Sequence, residues 1–178
     1  MTPGVRIGII SDTHVPLRGR ELPAQCRARL KAADLIIHAG DHCDLPSLHA
    51  LRAIGPPVVT VHGNVDDAQV RAAAPRDAEI AVGDTRLAVI HDAGPKRGRL
   101  VRMRRQFPFA QIVVFGHSHI ALIECDDDGF LIINPGSPTD RRQQPAHTMA
   151  ELLLHAGRAP VVAIIELDSE ARDSVPNL

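Results

Sequence analysis

The sequence predicts an α/β fold in which two mixed β-sheets pack together and are flanked by helices. Three observations point to this fold class. Short β-branched runs alternate with Ala-, Leu- and Arg-rich stretches along the 178 residues. The first of these runs are almost continuously apolar, as parallel strands buried on both faces are. Later runs follow one another through tight turns, which is typical of antiparallel hairpins.

The first half of the chain predicts an alternation of strands and helices. Each predicted strand is a run rich in Val and Ile, and a helical stretch separates it from the next run, which favours parallel pairing. The predicted strands are 5–11, 34–40 and 57–63, and the predicted helices cover about 22–32, 45–54 and 67–73.

The second half contains more strands and one further helix, at about 95–106. The segment "DDDG" at 126–129 separates two apolar runs, as the turn of an antiparallel hairpin does. The predicted strands of this half are 79–83, 85–92, 110–119, 120–126, 129–137, 148–155 and 160–167.

Composition favours one globular domain. Hydrophobic residues make up 44% of the chain and charged residues 23%, and no repeat or low-complexity linker divides it. We therefore predict a single domain over residues 1–178 with a core of about 5–167. The N-terminal apolar run is too short for a signal peptide or a membrane span, and the three cysteines form no CxxC pair. Cytoplasm is the expected location.

Charge and aromatic content argue against a polymeric nucleic-acid partner. The formal net charge is −1 and aromatic residues make up only 2% of the chain, so the sequence offers neither a basic field nor stacking platforms. A small nucleotide remains compatible with this composition, and no membrane partner is expected.

Metal-ligating side chains recur where five of the predicted strands end. The strand exits contain D-x-H, HAGD, HGN, VIHD and FGHSH. Residues two apart on an extended segment point the same way, so D-x-H and H-x-H are each expected to face one site. The carboxyl ends of strands are where an open α/β sheet builds its site. The candidate ligands are Asp12, His14, Asp41, Asn64, His91, His117 and His119.

This set of four His, two Asp and one Asn suits two divalent ions that share a bridging carboxylate. Mixed nitrogen and oxygen ligation favours manganese, with nickel, zinc or iron as alternatives. Such a cluster is formally cationic, attracts a phosphate and lowers the pKa of a bridging water for in-line attack. The set therefore predicts metal-dependent chemistry on a phosphate ester.

Each motif by itself has a simpler interpretation. Asp commonly follows a strand as a turn or cap residue, so D-x-H alone is weak, and GNxD alone more often marks an ordinary turn. Two histidines at the exit of a buried strand are harder to explain as core residues. Arg18 and Arg20 could contact a phosphate, but they are more simply solvated loop residues. Recurrence at five strand ends is what makes the combined signal strong.

The order of these motifs resembles the calcineurin-like metallophosphoesterase superfamily. The similarity runs from residue 5 to about 167 and fits best the small single-domain YfcE-like subgroup. The motifs, in order, are D-x-H (Asp12, His14), G-D-x-x-D (Gly40, Asp41, Asp44), G-N (Gly63, Asn64), His91, G-H-x-H (Gly116, His117, His119) and NPGS (134–137).

The resemblance implies a four-layer α/β/β/α sandwich, the metallo-dependent phosphatase fold, with a dinuclear metal site. It implies that Asp41, Asn64 and His117 serve catalysis directly, and that Asp44 and Asp66 orient ligands through hydrogen bonds. The implied ligands are Asp12, His14 and His119 for one metal, Asn64, His91 and His117 for the other, and Asp41 as the bridge.

Position 65 departs from the family pattern. Many members have a His after the G-N pair, which is thought to protonate the leaving oxygen, whereas this chain has Val65. We interpret the change as weak general-acid assistance, which costs little when the leaving group is good. Diesters and other substrates with stable leaving groups are then favoured over simple alkyl phosphates. The alternative is that His62 or His42 donates the proton.

Two classes of function follow from the sequence. The preferred one is a dinuclear-metal-dependent phosphoesterase that hydrolyses small phosphodiesters by attack of a metal-bridging hydroxide. The alternative is a non-catalytic, metal-binding protein-interaction scaffold, because the retromer subunit that shares this fold acts as a scaffold. Retention of every ligand-position histidine favours the enzyme. The resemblance is also compatible with a homo-oligomer.

Overall fold

The computed structural model of the protein describes residues 4–18 and 21–167, which contain ten strands and four helices. Each of these elements overlaps a predicted one. In chain order they are β1 (Val5–Ile10), α1 (Ala24–Lys31), β2 (Leu35–His38), α2 (Leu45–Arg52), β3 (Val58–Thr60), α3 (Ala68–Ala73), β4 (Asp77–Val82), β5 (Thr85–Ile90), α4 (Arg99–Gln106), β6 (Ile112–Val114), β7 (Leu122–Cys125), β8 (Leu131–Asn134), β9 (His147–Leu154) and β10 (Val161–Leu167).

The strands form two mixed five-stranded sheets. One has the order β10-β9-β1-β2-β3 and the other the order β4-β5-β6-β8-β7. In the first sheet β1, β2 and β3 are parallel, whereas β9 and β10 pair antiparallel. In the second, β5, β6 and β8 are parallel between the antiparallel edge strands β4 and β7. The predicted mixture of buried parallel strands and hairpins is confirmed.

The two sheets pack face to face across one buried cluster. Ile7, Ile9 and Ile37 of the first sheet share this cluster with Val89 and Val114 of the second. Because successive side chains of a strand point to opposite faces, alternate residues of the same strands are left to pack outward.

Helices cover these outward faces. Ile10 of β1 packs with Leu30 of α1 and Leu51 of α2, and Val113 of β6 packs with Met103 of α4. The layers are therefore α/β/β/α, as the family resemblance implied. No helix among the described residues is long and apolar enough to span a membrane.

Strand exits of both sheets meet at one end of the sandwich. The N–H of Asp12 donates to Gly40 O at 3.0 Å, which joins the exits of β1 and β2. The N–H of Gly116 donates to His91 O at 2.9 Å, which joins the exits of β6 and β5. The N–H of His117 donates to Asp12 Oδ2 at 2.9 Å and so connects the two sheets. This end of the sandwich holds all of the predicted ligands.

Candidate metal centre

Seven side chains at the strand exits form two adjoining groups joined by a carboxylate. The structure brings together every candidate that the sequence predicts for this site. Asp12 and His14 follow β1, Asp41 follows β2, Asn64 follows β3, His91 follows β5, and His117 and His119 follow β6.

In the first group, two histidines from different sheets point their Nε2 atoms at each other. The Nε2 atoms of His14 and His119 are 3.2 Å apart, and the rings stack with centroids 5.1 Å apart. Asp12 completes the group, because its Oδ1 lies 3.4 Å from His119 Nε2. All three residues are buried. Their potential ligand atoms lie within 4.8 Å of one another, which is compact enough for a single ion.

The second group is built around an amide oxygen. Asn64 Oδ1 lies 3.1 Å from His91 Nε2 and 2.9 Å from His117 Nδ1. The two rings meet edge to face, with centroids 5.2 Å apart. His91 is buried, whereas Asn64 and His117 are exposed. This group therefore forms the solvent-facing side of the centre.

Asp41 lies between the two groups. Its Oδ2 is 3.6 Å from His14 Nε2 in the first group and 3.4 Å from His91 Nε2 in the second. Its other oxygen, Oδ1, accepts a hydrogen bond of 3.0 Å from the N–H of Val65. One oxygen of this buried carboxylate thus faces both groups while the other is held by the backbone.

The donor set fits divalent metal ions. Ala39 O lies 2.7 Å from His91 Nδ1, and Asp140 O contacts His119 Nδ1. Each of those ring nitrogens must carry a proton to donate to a carbonyl, so in the neutral ring each Nε2 offers a lone pair to the site. Lone pairs of nitrogen and oxygen that face one another repel unless a proton or a metal ion lies among them. Histidines held by backbone carbonyls in this way are typical of metal ligands.

Burial and neighbouring charges set different pKa values for the two carboxylates. Burial raises the pKa of Asp12 to about 6, although His91 and Ser11 oppose the shift. Burial also acts to raise the pKa of Asp41, but the hydrogen bond and charge of His91 and the N–H of Val65 outweigh it and lower that pKa. Asp41 therefore stays ionised to a lower pH than Asp12 does.

The backbone at the site is strained. The φ angles of Asp12, His14, Asp41, His117 and His119 are 55°, 47°, 63°, 69° and 59°. This left-handed region costs a residue with a Cβ about 1–3 kcal/mol. The extended geometry expected for D-x-H and H-x-H is therefore wrong, because both named residues of each pair have a positive φ beyond the strand. The predicted convergence of the side chains is nevertheless observed.

Two motif glycines leave room for the carboxylates. A Cβ on Gly63 would overlap Asp41 Oδ1. A Cβ on Gly116 would overlap the Ser11 hydroxyl and lie 2.7 Å from Asp12 Oδ2. The glycines of G-N and G-H-x-H are thus required by close approach to the carboxylates.

Asp66 connects two of the strand-exit loops. Its carboxylate is buried and accepts hydrogen bonds from the N–H groups of Cys43 at 2.7 Å, Gly63 at 2.7 Å and Asp41 at 3.1 Å. Because one of these N–H groups belongs to Asp41, this carboxylate fixes the turn that presents Asp41 to both groups.

Asp44 has a different role from the one expected. Its side chain caps α2 by accepting hydrogen bonds from the N–H of Ser47 at 2.9 Å and from the Ser47 hydroxyl. It orients the start of a helix and, among the described residues, forms no hydrogen bond with a candidate ligand, so the expectation that it orients ligands through hydrogen bonds is wrong. The prediction overlooked that Asp directly before a helix is a preferred N-cap.

The NPGS motif supports the site from behind. The Asn134 amide donates to Gly116 O at 2.8 Å, and the Ser137 hydroxyl donates to Asp12 O at 2.8 Å. Both residues are buried. The sequence singles out the motif but not these contacts. Backbone acceptors such as Asp140 O leave no sequence signal, because any residue type can supply a carbonyl.

The residues near position 65 differ in what they can reach. The Val65 side chain is 41% exposed. His42 is buried, and its Nε2 lies 2.6 Å from the Thr60 hydroxyl, so it faces the interior and cannot serve as the alternative proton donor. His62 lines an open pocket beside the second group.

The arginines beyond β1 add little to the centre. Arg18 Nε lies 3.8 Å from Asp140 Oδ2, and the Arg18 side chain is 68% exposed. This agrees with a solvated loop residue. Arg20 lies outside the described residues.

Comparison with protein families and curated proteins gives a consistent result. A family model for the calcineurin-like phosphoesterase superfamily domain matches residues 5–157, a range that includes all seven candidate ligands. A probable metallophosphoesterase of Methanocaldococcus jannaschii is 36% identical over 137 residues, which cover 75% of this chain and 68% of the relative. Another from Methanothermobacter thermautotrophicus is 30% identical over 170 residues, covering 94% of this chain and 89% of the relative.

Solved structures share the fold. Vacuolar protein sorting 29 from Cryptosporidium parvum has a TM-score of 0.73 at 21% identity, covering 94% of this chain and all of that one. A Thermotoga maritima protein has a TM-score of 0.72 at 28% identity, covering 92% and 99%. An archaeal phosphodiesterase has a TM-score of 0.69 at 20% identity, covering 92% and 100%. The same architecture thus occurs in a sorting protein and in a phosphodiesterase.

Proposed function

This chain belongs to the calcineurin-like phosphoesterase superfamily, and from that premise we propose that it hydrolyses small phosphodiesters with two divalent metal ions. Manganese is the proposed ion, because mixed nitrogen and oxygen ligands suit it. The proposed ligands are Asp12, His14 and His119 for one ion, Asn64, His91 and His117 for the other, and Asp41 for both.

The observation that supports two ions is the position of Asp41. A single ion would need one cluster of ligands, whereas here two groups lie on either side of one carboxylate oxygen, 3.6 Å from His14 Nε2 and 3.4 Å from His91 Nε2. A carboxylate shared by two sites is the usual way to hold two cations a few ångströms apart.

When bound, two divalent ions supply a water of lowered pKa and stabilise the charge that develops on the phosphate. The chain's own residues hold the geometry. Asp66 and the Val65 N–H fix Asp41, and Ala39 O fixes the ring of His91. Asn64 and His117 are the exposed members of the set and therefore face an incoming phosphate.

The proposed preference for diesters rests on Val65. An isopropyl side chain cannot donate a proton to the leaving oxygen, and of the two alternative donors His42 is turned into the interior while His62 lines the neighbouring pocket. Without an acid at position 65, a stable leaving group is favoured, because it needs no proton as the bond breaks. Aryl diesters and diesters of similarly acidic alcohols fit this requirement better than alkyl monoesters.

Substitution of the exposed ligands tests this proposal. Asn64→Ala and His117→Ala should each reduce manganese-dependent hydrolysis of bis(p-nitrophenyl) phosphate at least about a hundredfold, more than losing an outer hydrogen bond does. Isothermal titration should show one manganese fewer, or one much weaker, per chain. His49→Ala, an exposed histidine of α2, is the matched control and should change neither quantity. Unchanged turnover in both ligand variants would refute the proposal.

A protein-interaction scaffold is the second candidate. Its support is the shared fold of the sorting protein, together with large apolar side chains that remain exposed, among them Leu17 at 74% and Ile120 at 51%. A scaffold would bind metal but hydrolyse no phosphodiester with any of manganese, nickel, zinc or iron. Metal-dependent turnover that is lost in His117→Ala would exclude scaffolding as the sole function.

A further inference from the structure

An open pocket of about 300 Å³ lies directly beside the second group of the candidate metal centre. We refer to it as the Arg76 pocket. Its volume is at the lower end of the range for small-molecule sites, large enough for part of a substrate. It shares Asn64, His91 and His117 with the centre and adds Arg71, Arg76 and Asp92.

The side of the pocket that contains the two arginines is hydrogen-bonded to the residues that follow β3. Arg71 donates from Nη2 to Asn64 O and from Nε to Asp66 O, each at 2.9 Å. The N–H of His62 donates to Pro75 O at 2.9 Å, which fixes the residue that precedes Arg76. The Arg71 guanidinium group is therefore bonded directly to the residues after β3, and the backbone next to Arg76 is held there as well.

The two guanidinium groups differ in how they are used. Arg71 uses two of its five N–H donors on backbone carbonyls, which hold its guanidinium group in place. Arg76 forms no hydrogen bond or ion pair with another residue of the described ranges 4–18 and 21–167. An arginine in a pocket with its whole fork of donors unengaged is suited to a bidentate anion.

The charge of the pocket favours an anion. Asp92 is its single carboxylate against two guanidinium groups, and Asp92 Oδ1 already accepts a hydrogen bond of 2.7 Å from the N–H of Gly94. The pocket is thus cationic on its own, before any ion binds in the centre. A phosphate engaged at Asn64 and His117 would place the rest of the substrate in this pocket, because these residues line both.

We propose that the Arg76 pocket binds a second phosphate group of the substrate, with Arg76 as the residue that determines this specificity. The substrate class is then a phosphodiester that carries another phosphate near the scissile one. The inference rests on the proposed function for the identity of the neighbouring site, and it adds a residue that no motif of the sequence marks.

Paired substrates test the inference kinetically. The manganese-loaded enzyme would be given thymidine 5′-(p-nitrophenyl phosphate) and the same compound with an added 3′-phosphate. The wild type should show a KM about tenfold lower for the phosphorylated compound, the effect of a charged hydrogen-bonded contact at an open site. Arg76→Gln should remove this difference, so that KM becomes the same for the two compounds. Arg158→Gln, an exposed arginine in the β9–β10 turn, is the control and should retain it.

Binding to the metal-free protein provides a readout that does not depend on turnover. Thymidine 3′,5′-bisphosphate should bind the wild type and Arg158→Gln more tightly than thymidine 5′-monophosphate does. Arg76→Gln should bind the two nucleotides equally. If no substrate is hydrolysed but this preference is present and depends on Arg76, the phosphodiesterase proposal fails while the anion site stands. If both diesters are hydrolysed equally, or Arg76→Gln keeps the preference, the inference is overturned.

Discussion

The backbone N–H of Val65 donates a 3.0 Å hydrogen bond to Asp41 Oδ1, the oxygen opposite the one that faces both histidine groups. Residue 65 therefore contributes to the centre through its backbone, whatever its side chain. The side chain itself is 41% exposed and does not belong to the buried core. We therefore expect the departure from His at this position to change the proton supply while leaving the carboxylate in place.

Replacing Val65 with His should extend the range of leaving groups. Val65→His keeps the N–H that holds Asp41 and adds an imidazole at the position where many family members have one. Turnover of an alkyl phosphate ester should rise about tenfold to a hundredfold, whereas turnover of bis(p-nitrophenyl) phosphate should change little, since its leaving group needs no proton. Steady-state kinetics with both esters measures this. Val65→Asn, which is polar but not an acid, is the control, and an equal gain in that variant would contradict the account.

Two neighbouring aspartates should respond very differently to removal. Asp66→Ala leaves three buried N–H groups without an acceptor and should lower the free energy of unfolding by about 3 kcal/mol. Asp44→Ala removes only a helix N-cap and should cost about 1 kcal/mol. Urea unfolding of the metal-free proteins gives both values. Manganese affinity should fall for Asp66→Ala alone, because only Asp66 fixes the turn of Asp41; equal losses in the two variants would show that this role is misassigned.

Manganese affinity should weaken as the pH falls below about 6. Burial raises the pKa of Asp12 to about 6, so below that pH a proton occupies the carboxylate in competition with the cation. One competing proton lowers the apparent affinity about tenfold per pH unit, so the fall between pH 6 and pH 5 approaches tenfold from this residue alone. Titrations at pH 5 to 8 measure it. An affinity that stays constant across this range would contradict the assignment of Asp12 as a ligand.

Replacing Asp12 with Asn should stabilise the metal-free protein while weakening its metal binding. The folded state retains a proton between pH 3.8 and about 6 that the unfolded state has lost, so the stability of the metal-free protein falls as the pH rises through this window. Above pH 6 the full penalty applies, about 3 kcal/mol for a shift of this size. Asp12→Asn removes the ionisation, so its free energy of unfolding at pH 7 should exceed that of the wild type. A free energy of unfolding at pH 7 that is lower for Asp12→Asn than for the wild type would contradict the predicted cost of ionising Asp12.

The sequence predicts the elements well because their patterns are local. Val- and Ile-rich runs specify the strands. The alternation of side chains along β1 points Ile9 into the core, whatever residue lies opposite it. The grouping of Asp12 with Asp41 is equally predictable in outline, because the parallel strands β1 and β2 deliver their exits to one edge of their sheet. Both features follow from side-chain chemistry at fixed spacing.

The turns beyond the strands are different, because tertiary contacts impose them. His is enriched at positive φ, but such residues are uncommon, so an extended exit is the better expectation for His14 and His117 from sequence alone. The hydrogen bond from the Asp41 N–H to the Asp66 carboxylate joins residues more than twenty positions apart, so no local sequence pattern indicates it. Asp44 was predictable in principle, since an Asp before Leu-Pro-Ser is a helix-cap signal that competes with the ligand-orienting interpretation.

The most direct test is the hydrolysis of bis(p-nitrophenyl) phosphate by protein stripped of metal and then titrated with manganese. We expect no turnover without metal and a rise that is complete only when two ions are bound per chain. Turnover by the metal-free protein, full activity with one ion, or no activity with two ions demonstrably bound would each contradict a two-metal phosphodiesterase.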